Sequence, residues 1–332
     1  MASEYIIHGP EISLFTRKLE CAFEFYGARF RRVDKGPEIS AALEARSGTH
    51  QVPVLETPEN WILADTTPII GLLDARHPAR RLVPRGPLGV LVHVVEEVLD
   101  EWVARVMVHY RWHYAENTRF IVSGFLGRDV DDEAARAFPP AKWGPRACRA
   151  TGTELPAQQE AAEAEYAAML EALEAQLART PFALGGRPTA VDAMLIGGLR
   201  AHTNHDPIPD LSAYPRTLAW ETRDARAWPR AGEAVGELAP FPRSTPFADH
   251  MLALARDAYL PFVIGNARAL AAGEKAFEIE THGSKASYLA RPYPERSRRM
   301  VHERIEHQLD EAERAEVAAW LEERGLAEAF MP

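Results

Sequence analysis

Cysteine is nearly absent from this chain: there are two in 332 residues, and neither Cys21 nor Cys148 stands in a C-x-x-C or zinc-type spacing. That excludes a disulfide-stapled scaffold and argues against dithiol redox chemistry. Long apolar runs are missing too. The most apolar stretch, Gly89 to Val98, is interrupted by His93, Glu96 and Glu97, far short of the roughly 18 to 20 residues of a membrane span. Positive charge is the minority sign, with 38 Lys and Arg against 48 Asp and Glu. A net charge of −10 argues against the basic face of a nucleic-acid binder. There is no Walker loop, no G-x-G-x-x-G and no G-x-S-x-G, which lowers nucleotide and serine-hydrolase readings. The opening Met-Ala-Ser-Glu-Tyr has neither a basic n-region nor an apolar h-region, so a cytoplasmic chain is expected.

What is present is a folded, two-textured chain. With 46% apolar residues, it can bury a core in each of two ordinary domains. Glu4 to His8 is an apolar run stopped by Gly9-Pro10, Arg17 to Phe25 has helical texture, and Ala28 to Asp34 reads as a second strand. Ile39 to Arg46 reads as a helix, Val52 to Glu56 and Trp61 to Asp65 as strands around Pro58-Glu59-Asn60, and Pro68 to Ala75 as a helix. The order βαβαββα predicts a compact α/β unit. After Pro87 helix periodicity prevails. Gly89 to Tyr114 reads as one long helix, and Pro156 to Arg179 carries Tyr166, Met169, Leu170, Leu173 and Leu177 on one face. Thr189 to Arg200 and Tyr214 to Trp228 follow as helices, then a proline-rich connection, Pro229 to Pro246. Phe247 to Ala272 and Glu295 to Gly325 read as two further long helices flanking a hairpin around His282-Gly283.

Three pieces in order carry a resemblance: Gln51-Val52-Pro53-Val54-Leu55, Ala64-Asp65-Thr66-Thr67-Pro68-Ile69-Ile70, and Leu72-Leu73-Asp74-Ala75-Arg76-His77-Pro78. With Thr189-Ala190-Val191-Asp192, a Ser/Thr-x-x-Asp helix start, they make the chain resemble the glutathione transferase superfamily. The resemblance implies a thioredoxin-like α/β N-terminal domain followed by an all-α domain. The boundaries expected are 1–80, 88–232, and a mostly helical extension over 233–332 that lies beyond the usual family length.

The resemblance also implies glutathione as cosubstrate, an electrophilic small molecule as partner, and a homodimer. Val52, before a cis Pro53, would offer its backbone to the cysteinyl part of the tripeptide. Asp65 and Thr66 would hold the γ-glutamyl end, and Gln51 lies where some classes meet the glycyl carboxylate. Ser13 aligns with the head of the family's S/C-P-x-x-R-K pattern, Leu14 replacing the proline, and is the expected thiolate hydrogen-bond donor. Tyr5 ranks well below it, at the start of the strand rather than its end. Ser13 and Thr16 occupy the two ends of a C-x-x-C-like spacing, so a mixed-disulfide mechanism is not expected. Trp102, Arg105, His109 and Trp112 are candidates to line a second-substrate pocket. No metal is expected: His109 and His113, and His202, His205 and Asp206, lack H-E-x-x-H chemistry, and His93, Glu96, Glu97, Asp100 and Glu101 read as a solvated helix face.

Overall fold

The computed structural model describes residues 4–222 and 236–331. Strands β1 (Tyr5–His8), β2 (Phe30–Val33), β3 (Val54–Glu56) and β4 (Ile62–Ala64) form one sheet in the order β2-β1-β3-β4. β1 runs parallel to β2 and antiparallel to β3, which is antiparallel to β4. The parallel pair needs a crossover, and α1 (Leu14–Tyr26) supplies it. Gly27 closes α1 in the left-handed region at φ 67°, as a helix C-terminus commonly requires. α2 (Pro37–Ser47) and α3 (Thr66–Arg76) complete the unit. The βαβαββα order expected from the strand and turn signals is therefore observed, as is the thioredoxin-like unit that the resemblance implies.

The helical part is organised around a continuous column: α4 (Pro87–Val98), a π-helical turn at Leu99–Val103, and α5 (Ala104–His113). α6 (Ala115–Leu126), α7 (Asp132–Ala137) and α8 (Pro139–Ala150) follow. Their limits are not marked in the sequence, because prolines such as Pro139 and Pro140, which read as breakers, occupy a first helical turn where no donor is lost. α9 (Pro156–Leu177), α10 (Ala190–Gly198), a second π-turn at Leu199–Thr203, and α11 (Pro215–Glu221) come next. Asp192 reaches back to the Thr189 amide at 2.8 Å and to the Ala183 amide at 2.9 Å, so the expected helix start is present. The remainder of the helix expected to reach Trp228, and the first part of the proline-rich connection, 229–235, lie outside the described residues.

The last third is α12 (Pro246–Leu254), a π-turn at Ala255–Tyr259, α13 (Leu260–Ala272), the hairpin β5 (Ala276–Thr281) and β6 (Ser284–Leu289), then α14 (Pro292–Gln308), α15 (Glu311–Glu323) and α16 (Ala327–Phe330). The hairpin turns at His282-Gly283 as expected, both residues having positive φ. The single helix expected over 295–325 is instead two, broken at Leu309, whose extended backbone is followed by Asp310 capping α15.

Two packing facts position the site. α1 lies against α10 so closely that a methyl group on Gly197 would meet the Lys18 amide nitrogen at 2.5 Å. The last third does not stand apart: α12, α14 and α15 pack on α4, and one apolar core runs from Ile7 through Val94 and Tyr259 to Phe330. The acidic face of the column is therefore buried rather than solvated, with His93, Glu96, Glu97, Asp100 and Glu101 all inside. Among the described residues no helix is long and apolar enough to cross a membrane.

Candidate functional site

Strand register brings the three sequence pieces together. His8 of β1 pairs with Val54 of β3, and Val54 pairs with Ala64 of β4. The segments just beyond these residues therefore leave the sheet at one end: Gly9 to Ser13, Gln51 to Pro53, and Asp65 to Thr66. Adjacent strands lie about 4.8 Å apart, so the three segments fall within reach of one small peptide. α1 and α3 both begin there, aiming two helix N-termini at the same place.

Each segment has local reasons for its shape. Ser13 is the N-cap of α1, with extended backbone and its Oγ accepting from the Thr16 amide at 3.4 Å. Glu11, an unexpected charge beside an anion site, is paired with Arg17 and lies 3.5 Å from Arg32. The Val52–Pro53 peptide is cis; Pro53 is buried, Val52 half-buried and Gln51 exposed. Asp65 caps α3 from a left-handed backbone at φ 75°, its Oδ1 accepting from the Thr67 amide at 3.3 Å. A non-glycine residue held at positive φ is a strained position of the kind concentrated at functional sites. Thr66 is buried beside it. Tyr5 is at the far end of β1, its hydroxyl accepting from Arg76 at 2.7 Å.

A residue that sequence reasoning missed holds the Ser13 loop. Arg111 of α5 is buried and forks onto Asp206, with Nε at 2.8 Å from Oδ2 and Nη2 at 2.9 Å from Oδ1. Its Nη1 donates to the Ile12 carbonyl at 2.7 Å, one residue before Ser13. Burial and the neighbouring Arg111 push the His202 imidazole well below its ordinary pKa, so it stays neutral. The only sequence signal was indirect: His202, His205 and Asp206 stood out as a cluster, without their partner.

Beneath Asp65 lies the buried acidic face. Lys18 of α1, wholly buried, is paired with Glu96 and sits 2.8 Å from Asp100. Glu97 accepts from Tyr259 at 2.8 Å and from Ser297 at 2.6 Å. Burial pushes Glu96 up to about 7 against the pull of Lys18, and Glu101 up to about 8 against Arg291, with Asp100 and Asp65 adding to both. Folding thus raises both pKa values above the ordinary carboxylate value of 4.5. The folded chain holds protons that the unfolded chain has released, so this contribution to stability is lost as pH rises from about 4.5 through 8. Thermal unfolding followed by circular dichroism should show the melting temperature falling between pH 5 and pH 9. Glu101→Gln should flatten that slope by an amount equivalent to at most a few kcal/mol. An unchanged slope would remove Glu101 as its source.

Asp65 itself is met by the last third of the chain. Its Oδ2 makes no hydrogen bond and lies 3.3 Å from Arg296 Nη2 of α14, the Asp65 side chain being only 4% exposed. Tyr293, at the start of the same helix, has its phenol pushed up by burial and by Asp65. Next to this contact, α13 and α14 open a cleft of about 720 Å³ bounded by Pro68, Leu270, Pro292, Arg296 and Met300.

Of the residues expected to line a second-substrate pocket, Trp102, Arg105 and His109 are buried in the core, and Trp112 packs on a separate apolar cluster. Trp102 is fully buried against Phe262 and Tyr288, with its Nε1 donating to Glu165 at 3.1 Å. The Arg105 guanidinium lies 3.9 Å over the Trp102 ring, and buried His109 meets Glu163 at 2.7 Å. Trp112 is half-buried, its side chain against Gly144 of α8. Among the described residues no group of three or more His, Cys, Asp or Glu side chains is arranged to hold a metal ion.

Residues 7–81 match the family profile "Glutathione S-transferase, N-terminal domain", and residues 156–223 match "Glutathione S-transferase, C-terminal domain". No curated protein matches the chain. Solved structures that it is similar to include a glutathione S-transferase from Rhodospirillum rubrum F11, at 16% identity and TM-score 0.46, covering 74% of this chain and 99% of that one. Another is a glutathione S-transferase from Methylobacterium radiotolerans in complex with glutathione sulfonate, at 24% identity and TM-score 0.43, covering 68% and 93%. A third is the theta class enzyme of Xanthomonas axonopodis pv. citri with glutathione bound, at 21% identity and TM-score 0.44, covering 68% and 96%. With both domains matched in order, the chain belongs to the glutathione S-transferase superfamily.

Proposed function

We propose that this chain is a glutathione-dependent transferase that activates the glutathione thiol for attack on an electrophilic small molecule. The observation that carries this reading is the strand register, which sets Ser13, Val52 and Asp65 at one end of the sheet below two helix N-termini. In it, the Val52 backbone and Gln51 take the cysteinyl-glycine part, and Asp65 and Thr66 take the γ-glutamyl end. The Ser13 hydroxyl donates to the thiolate. Lowering a thiol pKa by two units requires about 2.7 kcal/mol, which a charge-assisted hydrogen bond and a helix N-terminus can supply. The sulfur then bonds to the electrophilic carbon as the leaving group departs with the bonding pair. The cleft between α13 and α14, bounded by Pro68 and Arg296, opens beside Asp65's partner and offers space for the second substrate. The family resemblance supports a cytoplasmic homodimer.

Calorimetric titration with reduced glutathione tests the site. Saturable binding is expected, and Ser13→Ala should bind normally while losing 10- to 100-fold in turnover. No binding at millimolar glutathione would shift the reading to a non-catalytic binding or assembly protein of the same fold. One observation favours that second reading: the Asp65 carboxylate is buried and already in ion-pair contact with Arg296 of the chain's own α14.

A further inference from the structure

We propose that Arg296, contributed by the last third of the chain, fills the ammonium position beside Asp65 and so sets the selectivity of the site at the amino end of its thiol ligand. This rests on the reading that Asp65 and Thr66 take the γ-glutamyl end of glutathione. A carboxylate in that role must be free to meet the ligand's ammonium. Here it is not: the Asp65 side chain is 4% exposed, and Arg296 Nη2 stands 3.3 Å from its Oδ2. Tyr293, half-buried at the start of α14, has its phenol pushed up by burial and by the same carboxylate.

The neighbouring charges leave Arg296 with this task. Glu96 and Asp100 are taken by Lys18, Glu97 by Tyr259 and Ser297, and Glu101 faces Arg291. Among the described residues Asp65 is the acid found in ion-pair contact with Arg296. An incoming ammonium therefore meets a guanidinium already in place, and the two like charges compete for one carboxylate. The amino group of glutathione adds nothing to its affinity in this chain. The ligand class that suits the site is a thiol peptide or acid whose amino end is acylated or lacks nitrogen. Removing the guanidinium restores the preference for an amine, because Asp65 is then a carboxylate amid other acids with no cation of its own.

The ratio of two affinities tests this without depending on how well a variant folds. Calorimetry on the full chain compares reduced glutathione with glutaryl-cysteinyl-glycine, which is glutathione with its amino group replaced by hydrogen. The wild-type chain is expected to bind the two within about threefold of each other. Arg296→Ala, at a side chain 61% exposed, is expected to prefer glutathione at least tenfold, and Arg296→Ala with Asp65→Asn should lose that preference. A wild-type preference for glutathione of tenfold or more, unchanged in Arg296→Ala, overturns the proposal and leaves the glutathione site standing. Binding of neither ligand by wild type or variant overturns both.

Discussion

Replacing Lys18 with methionine is expected to cost about 3–5 kcal/mol of folding free energy, because it strands two buried carboxylates without their cation. Lys18 is wholly buried between Glu96 and Asp100. Burial alone would lower its pKa, but Asp100 and Glu96 raise it instead, so the ammonium stays charged in the folded chain. At the entropy of unfolding of a chain this size, the loss corresponds to a fall of roughly 4–7 °C in melting temperature. The cost resides in the unpaired acids rather than in the missing amine. Combining Lys18→Met with Glu96→Gln and Asp100→Asn should therefore recover more than half of it, measured by urea unfolding at fixed pH. Equal destabilisation in the single and triple variants would show that packing of the α1–α10 contact, not charge, is what Lys18 secures.

Lys18 also shows where the sequence stops being informative. The α/β half is legible because its signals are local: an apolar run stopped by Gly9-Pro10, a cap, a Val-Pro, an Asp-Thr-Thr-Pro helix start. Convergence of these pieces on one site is legible only through the resemblance, since register is a pairing of residues nearly fifty positions apart. The acidic face of α4 shows the opposite case. Glu96, Glu97, Asp100 and Glu101 have the spacing of a polar stripe, and nothing nearby in the chain distinguishes a solvated stripe from a buried one. What buries it are Lys18, some eighty positions earlier, and Tyr259 and Ser297, far later. The π-turn at Leu99–Val103, which carries Asp100, Glu101 and Trp102, has no composition of its own. The contact of Arg296 with Asp65 is equally remote, and the mixed charges of α14 read as surface.

The Arg111 fork carries the second large effect, and it couples stability to chemistry. Arg111→Met should destabilise by about 3–5 kcal/mol, because it takes the guanidinium from buried Asp206 and leaves it only the His205 imidazole, 2.9 Å from its Oδ1. His202 cannot replace it, since burial and Arg111 hold that imidazole neutral. Pairing Arg111→Met with Asp206→Leu removes both charges and should restore most of the stability. It does not restore the 2.7 Å hydrogen bond to the Ile12 carbonyl, which fixes the loop from which Ser13 presents its hydroxyl. The double variant should therefore bind glutathione with near-normal affinity while turning over at least tenfold more slowly. The thiol pKa of the bound tripeptide, read from thiolate absorbance, should move back toward its free value near 8.5. Arg111→Lys, which keeps the charge but loses the fork, should fall between wild type and the double variant in both readouts. A positioning residue predicts this separation of binding from activation. If the double variant regains stability and thiol activation together, Arg111 serves the fold alone, and Ser13 is held by its own helix cap.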